Sequence, residues 1–145
     1  MRRALTAAGV AAATLAVAIA AGAATNATTK LEANLRGANE GAPAPASNRG
    51  KTEIRLTPST GRVCWETTIA KIDGKPNASH IHKGRRGVSG NVVVPLGAGY
   101  KRQGCTTASK ALIRAIIKSP GTYYVNVHNA KHPAGAMRGQ LTRGT

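Results

Sequence analysis

The feature that most constrains this chain is a period-2 alternation of β-forming side chains, repeated between turn signals. The clearest case is Tyr123-Tyr-Val-Asn-Val-His128 with its continuation Lys131-His-Pro-Ala-Gly-Ala-Met-Arg-Gly-Gln-Leu141. Val125 and Val127 alternate with Tyr124, Asn126 and His128, and Met137, Gly139 and Leu141 alternate with Ala136, Arg138 and Gln140. Successive strand side chains point to opposite faces, so each run has one apolar and one polar face. Pro133 and Gly135 lie between the runs, where Pro presets φ and Gly tolerates φ > 0. The stretch predicts a β-hairpin.

The same alternation appears upstream in Leu31–Arg36, Lys51–Leu56 and Val63–Ile69, with shorter strands expected at Ala78–His82 and Val92–Val94. Gly37–Gly50 reads as a loop, because its two prolines and its glycines cannot feed a ladder. Pro58–Gly61 and Asp73–Pro76 read as turns, Gly84–Gly87 as a break, and Gly97–Gly104 as a glycine-rich loop. Trp65, the only Trp, is expected at the centre of the core. Ala108–Lys118 departs from the pattern: Leu112, Ile113, Ile116 and Ile117 recur at helical spacing, with Lys110, Arg114 and Lys118 on the other side. Thr106, Thr107 or Ser109 is expected to cap that helix, and Ser119-Pro-Gly121 to stop it. Short strands at regular intervals predict an all-β fold: an antiparallel Greek-key β-sandwich or barrel with one short amphipathic helix.

Residues 1–24 follow the plan of a secretory signal peptide: Arg2 and Arg3, an apolar run from Ala4 to Ala20, then small residues. A flexible linker is expected over 25–30 and one folded domain over 31–142. No second apolar run follows, so no transmembrane helix is expected after cleavage, and the expected location is secreted or cell envelope. Removing Arg2 and Arg3 from 21 basic residues leaves 19 against 5 acidic, a net charge of +14. Such a chain is drawn to anionic surfaces, with cell-wall polymer or an extracellular protein as candidate partners. Lys83, Arg85, Arg86, Lys101, Arg102, Lys110, Arg114 and Lys118 form the candidate basic patch. Four scattered aromatics offer no stacking platform, which argues against nucleic acid. Cys64 and Cys105, an even count in an exported chain, are expected to form a disulfide.

All four histidines lie in two places: His80-Ile-His82 and the hairpin's His128 and His132. His80 and His82 share one strand face, and His128 shares its face with Asn126 and Tyr124. If these strands are neighbours, three imidazoles converge, with His132 as an optional fourth. Neutral imidazole suits copper and zinc. The alternative is structural: the rings bond each other and the backbone, holding strands and loop together. No carboxylate is expected at the cluster, since the acidic residue nearest in sequence is Asp73. Catalytic zinc of the His-plus-carboxylate kind is therefore not indicated. The sequence has no GxSxG, P-loop or Rossmann fingerprint, and five separate acids argue against paired-carboxylate hydrolysis, so no catalytic residue is assigned.

Leu35-Arg-Gly-Ala-Asn-Glu40, Val63-Cys-Trp65, His80 to Leu96, Gly104-Cys105, Tyr123 to His128 and Pro133 to Leu141 together resemble the CHRD domain, the module named after chordin. The resemblance spans about Leu31 to Leu141. It implies an all-β, Greek-key-like domain outside the cytoplasm, a binding or structural module with no generally established activity. A weaker likeness is to the copper/zinc superoxide dismutases, also β-sandwiches with a His-x-His strand. By that likeness His80, His82 and His128 would form a copper-like site with Arg138 as an anion-steering group. The acidic residue and further histidines of the zinc half are absent.

Overall fold

A computed structural model describes residues 27–144. The expected signal peptide lies outside the described residues, as does the start of the expected linker. The element order is β1 (Thr29–Arg36), β2 (Arg49–Thr57), β3 (Arg62–Lys71), β4 (Pro76–Lys83), β5 (Val92–Pro95), β6 (Gln103–Thr107), α1 (Lys110–Lys118), β7 (Tyr123–Asn129) and β8 (Met137–Arg143). Two single 3-10 turns, Gly37–Asn39 and Pro120–Thr122, follow β1 and precede β7. The ladder begins at Thr29, two residues inside the stretch expected as linker, and runs to Arg143.

The eight strands form one antiparallel sheet in the order β5-β4-β7-β8-β1-β2-β3-β6. It curls into a nearly closed barrel, as the alternation predicts. β1-β2-β3 is a meander and β7-β8 the expected hairpin, with Val125 opposite Gly139 and Val127 opposite Met137. The chain crosses from β3 to β4 and returns from β5 to β6, so β4 and β5 join the half built on β7 and β8, and β6 joins the half built on β1, β2 and β3. Edge strands β5 and β6 are seamed by the segment between them: Tyr100 donates its N–H to Asn77 O of β4, and Arg102 O accepts from Thr67 N of β3.

The inner faces carry the expected apolar sets: Leu31, Ala33 and Leu35; Ile54 and Leu56; Val63 and Trp65; Ile81; Val125 and Val127; Met137 and Leu141. Burial of such side chains is the main driving force, about 1.5–3 kcal/mol for each large one. Two inward hydroxyls, Thr52 and Thr67, satisfy each other at 2.9 Å across β2 and β3. Ile113 and Ile116 of α1 join the core, and Ser109 Oγ caps the helix by accepting Leu112 N–H.

One strand lies where a loop is expected. The chain regains the ladder at Gln103, inside the glycine-rich stretch, and β6 pairs with β3 so that Cys64 faces Cys105 and Trp65 faces Gly104. A Cβ at Gly104 would lie 2.8 Å from the Trp65 ring. The glycine that reads as a strand breaker is the residue that lets the indole pack. Trp65 also donates Nε1–H to Lys101 O, which holds the glycine-rich segment against β3.

Candidate metal centre

The polar faces of β4, β7 and β8 form one surface on the outside of the barrel. Register places Ala78 opposite His128, His80 opposite Asn126 and His82 opposite Tyr124 on one side of β7. On its other side, Asn126 lies opposite Arg138 and Tyr124 opposite Gln140. This surface is covered by loops 37–48 and 84–91. Asn39 donates Nδ2–H to Arg138 O, and the buried Asn48 donates to Ala136 O. Gly90 donates its N–H to the Tyr124 hydroxyl.

His80, His82 and His128 converge there, with one ring nitrogen of each within 4.8 Å of the others. His80 Nδ1 and His128 Nε2 are 3.2 Å apart. His82 is 8% exposed and stacks on Tyr124 with ring centroids 4.8 Å apart. Two backbone carbonyls orient the rings: His82 Nδ1 lies 2.9 Å from Gly90 O, and His128 Nδ1 lies 2.9 Å from Pro133 O. A carbonyl only accepts, so each Nδ1 carries the proton and each Nε2 of the neutral ring presents a lone pair. The His80 Nδ1–H then donates to the lone pair of His128 Nε2. The buried Nε2 of His82 has no partner. Burial first, then the charges of neighbouring groups, holds the pKa of His80 and His82 below the usual imidazole range. Neutral rings held by a carbonyl acceptor on the far nitrogen are what metal ligation requires.

The cluster itself holds no carboxylate, as expected, but one lies on the same surface beside Arg138 and Asn126. Glu40, in the loop after β1, is folded under so that its carboxylate is 3% exposed and 3.8 Å from Arg138 Nε. Asn126 donates Nδ2–H to Glu40 Oε2 at 3.4 Å. Gly135, at φ 145°, leaves the room: a Cβ there would sit 2.5 Å from Glu40 Oε2. Desolvation outweighs the pull of Arg138 and Asn126 and pushes the carboxyl up to about 7. Sequence distance hides this partner, since Glu40 and Asn126 are 86 residues apart. The one available signal was Glu40's place in the Leu35–Glu40 segment that carries the CHRD resemblance.

Arg138 is 3% exposed. Nε donates to Asn39 O at 2.6 Å and Nη1 to Val88 O at 3.3 Å, and the guanidinium carbon lies 4.9 Å from the Tyr124 ring centroid. An anion-steering role asks for a guanidinium edge open to solvent; here the group is enclosed beneath two loops. His132 points elsewhere: Nε2 faces Asp73 Oδ2 at 3.6 Å, beside the Lys131–Asp73 ion pair. The fold thus joins His80, His82 and His128 and leaves His132 outside.

Lys83, Arg85, Arg86, Lys101, Arg102, Lys110, Arg114 and Lys118 are all exposed, spread over β4, two loops and α1. Cys64 and Cys105 form the expected disulfide across β3 and β6, on the opposite half of the barrel from the histidines. Among the described residues no helix is long and apolar enough to cross a membrane.

No curated protein and no solved structure matches the chain. The sequence profile of the CHRD domain matches residues 31–141, which takes in every strand from the body of β1 to the body of β8. Both halves of the barrel, the disulfide and the histidine cluster fall inside that span, and the chain belongs to the CHRD domain family.

Proposed function

We propose that this CHRD domain is an extracytoplasmic binding module that holds one transition-metal ion at His80, His82 and His128. The observation that carries the reading is the Nε2 of His82: buried, without a hydrogen-bond partner, in a ring whose Nδ1 is already fixed by Gly90 O. Buried polar atoms are almost always paired, and an orphan asks for a reason. The Nε2 of His132 is also buried without a hydrogen-bond partner, but only the His82 ring lies next to those of His80 and His128, where its lone pair can serve a shared ion. A metal ion would replace the proton shared by His80 and His128, whose nitrogens are already 3.2 Å apart. Imidazole-only ligation favours copper or zinc over the hard cations, which take oxygen. No group in the cluster is placed as nucleophile or general base, so binding is the function proposed.

The disulfide supports the extracytoplasmic location, since such bonds persist in oxidising compartments. Calorimetry on chelator-stripped protein tests the metal reading. One ion per chain is expected, micromolar or tighter, with affinity falling at least a hundredfold in His128→Ala. Binding no tighter than millimolar would sink it.

A second reading, adhesion to anionic wall polymer, draws on the exposure of all eight residues of the basic patch, of which Arg102 pairs with Glu66. Binding to teichoic-acid-like polymer should weaken steeply between low and high salt. Salt-independent binding would exclude it.

A further inference from the structure

We infer that the histidine site is built for monovalent copper, in preference to copper(II) or zinc(II). The inference rests on the metal-binding reading above and adds the charge and coordination number of the ion.

Three observations carry it. The cluster is three imidazoles and nothing else among the described ligand-type side chains, so it offers three neutral donors and no negative charge. A bound ion is the largest local charge in such a site, and none of these three ligands would offset it. The surroundings are positive as well. The buried guanidinium of Arg138 lies against Tyr124, whose ring stacks on His82, so a fixed positive charge stands one ring away from the cluster. Lys83, Arg85 and Arg86 are exposed in the segment that leads into the covering loop. Glu40, the one carboxylate near Arg138 among the described residues, is pushed by burial up to about 7, so near neutral pH it offsets that charge only in part. A divalent ion feels this repulsion twice as strongly as a monovalent one.

The geometry agrees. With metal–nitrogen bonds of about 2.0 Å, neighbouring donors are about 3.3–3.5 Å apart in a tetrahedral or trigonal site and about 2.8 Å in a square one. The His80–His128 separation of 3.2 Å, in a set whose donors all lie within 4.8 Å, is nearer the first pair, whereas copper(II) prefers the square arrangement. Zinc(II) wants a fourth ligand, and the cluster supplies three. A trigonal copper(I) ion needs neither a fourth donor nor a counter-charge. A divalent ion could relieve the same deficit by taking an anion from solvent, and the experiment separates the two.

Copper(I) affinity is measured anaerobically, with ascorbate present, by competition with a chromophoric copper(I) chelator. Copper(II) and zinc(II) affinities are measured by calorimetry on the same chelator-stripped protein. The expected result is one copper(I) per chain, at least a hundredfold tighter than either divalent ion. For copper that ratio raises the one-electron potential by about 120 mV over equal affinities. X-ray absorption should show three nitrogen ligands and no fourth. Arg138→Gln should shrink the preference about tenfold and Arg138→Lys should keep it. If Arg138→Gln does not fold, the exposed double variant Arg85→Gln/Arg86→Gln should shrink it severalfold, more at low salt. Equal or tighter binding of zinc(II) or copper(II) through the same histidines, with an anion or water as fourth ligand, overturns this inference and leaves the metal-binding reading intact. Failure to hold any of the three ions overturns both.

Discussion

The two halves of the barrel use the same alternation inside and treat their outer faces in opposite ways. In β1 and β2 the outward residues are charged and stay wet: Lys30 pairs with Glu53 and Lys51 with Glu32 across the strands, and Arg55 pairs with Glu53 along β2. In β4, β7 and β8 the outward residues are His80, His82, Tyr124, Asn126, His128 and Arg138, and two loops enclose them. Exposed ion pairs contribute about 0–1 kcal/mol each. Enclosed polar groups cost about 1–3 kcal/mol for each atom left unpaired, and Glu40 Oε1, His82 Nε2, Asn126 Oδ1 and Arg138 Nη2 are all unpaired. Stability alone would not select the second arrangement. The histidine half gives up stability that the charged half does not, which is what the proposed binding role would require.

The largest test of this contrast is the disulfide of the charged half. Its cysteines are 41 residues apart, and closing such a loop stabilises the fold by about 4 kcal/mol on the chain-entropy account. The double variant Cys64→Ser/Cys105→Ser should lose that much by urea unfolding while still binding one metal ion below its Tm; lost binding in the folded variant would show that the halves are coupled. On the histidine half, His82→Leu should weaken metal binding at least a hundredfold, about 2.7 kcal/mol. The stability of the metal-free protein should stay within about 1 kcal/mol, because the change removes an orphan nitrogen along with one hydrogen bond to Gly90 O. A loss of several kcal/mol would mark His82 as structural.

Glu40 gives an effect on the order of 2 kcal/mol with a definite sign. Its pKa rises from 4.5 to about 7 on folding, so the folded chain holds the proton more tightly. Its contribution is present below the unfolded value and is lost as pH rises through about 7. Glu40→Gln, neutral at every pH, should match the wild type near pH 4 and exceed it at pH 8 by thermal unfolding. His80 and His82, with depressed pKa values, lose stability as pH falls below the usual imidazole range in both proteins, so the difference isolates Glu40. No pH dependence in that difference would mean the carboxylate is solvated. The smallest effect belongs to the surface ladder: Lys51→Met should cost under about 0.5 kcal/mol, and a larger loss would blur the contrast between the halves.

Among the described residues, seven of the eight strands, the one α-helix and the cysteine pairing were legible in the sequence, because alternation, helical spacing and an even cysteine count are read directly from the residues. β6 was hidden, since Gly104 is a breaker locally and a fitted partner of Trp65 only once β3 is opposite. The shared face of His80 and His82 followed from the two-residue period. That His128 joins them, while His132 turns to Asp73, depends on β4 pairing with β7 in one register, and nothing local specifies that. Glu40 stood outside any reading of nearby sequence, because a folded loop carries it under the hairpin.

By itself the sequence determined which residues face inward, where the chain turns and which side chains are able to ligate a metal, since side-chain direction in a strand is a matter of parity. Only the tertiary structure decided which of those side chains meet, how their tautomers are held by Gly90 and Pro133 carbonyls, and that a carboxyl and a guanidinium are enclosed beside them. Those outcomes come from strand order and loop cover, which are set by the packing of the whole barrel.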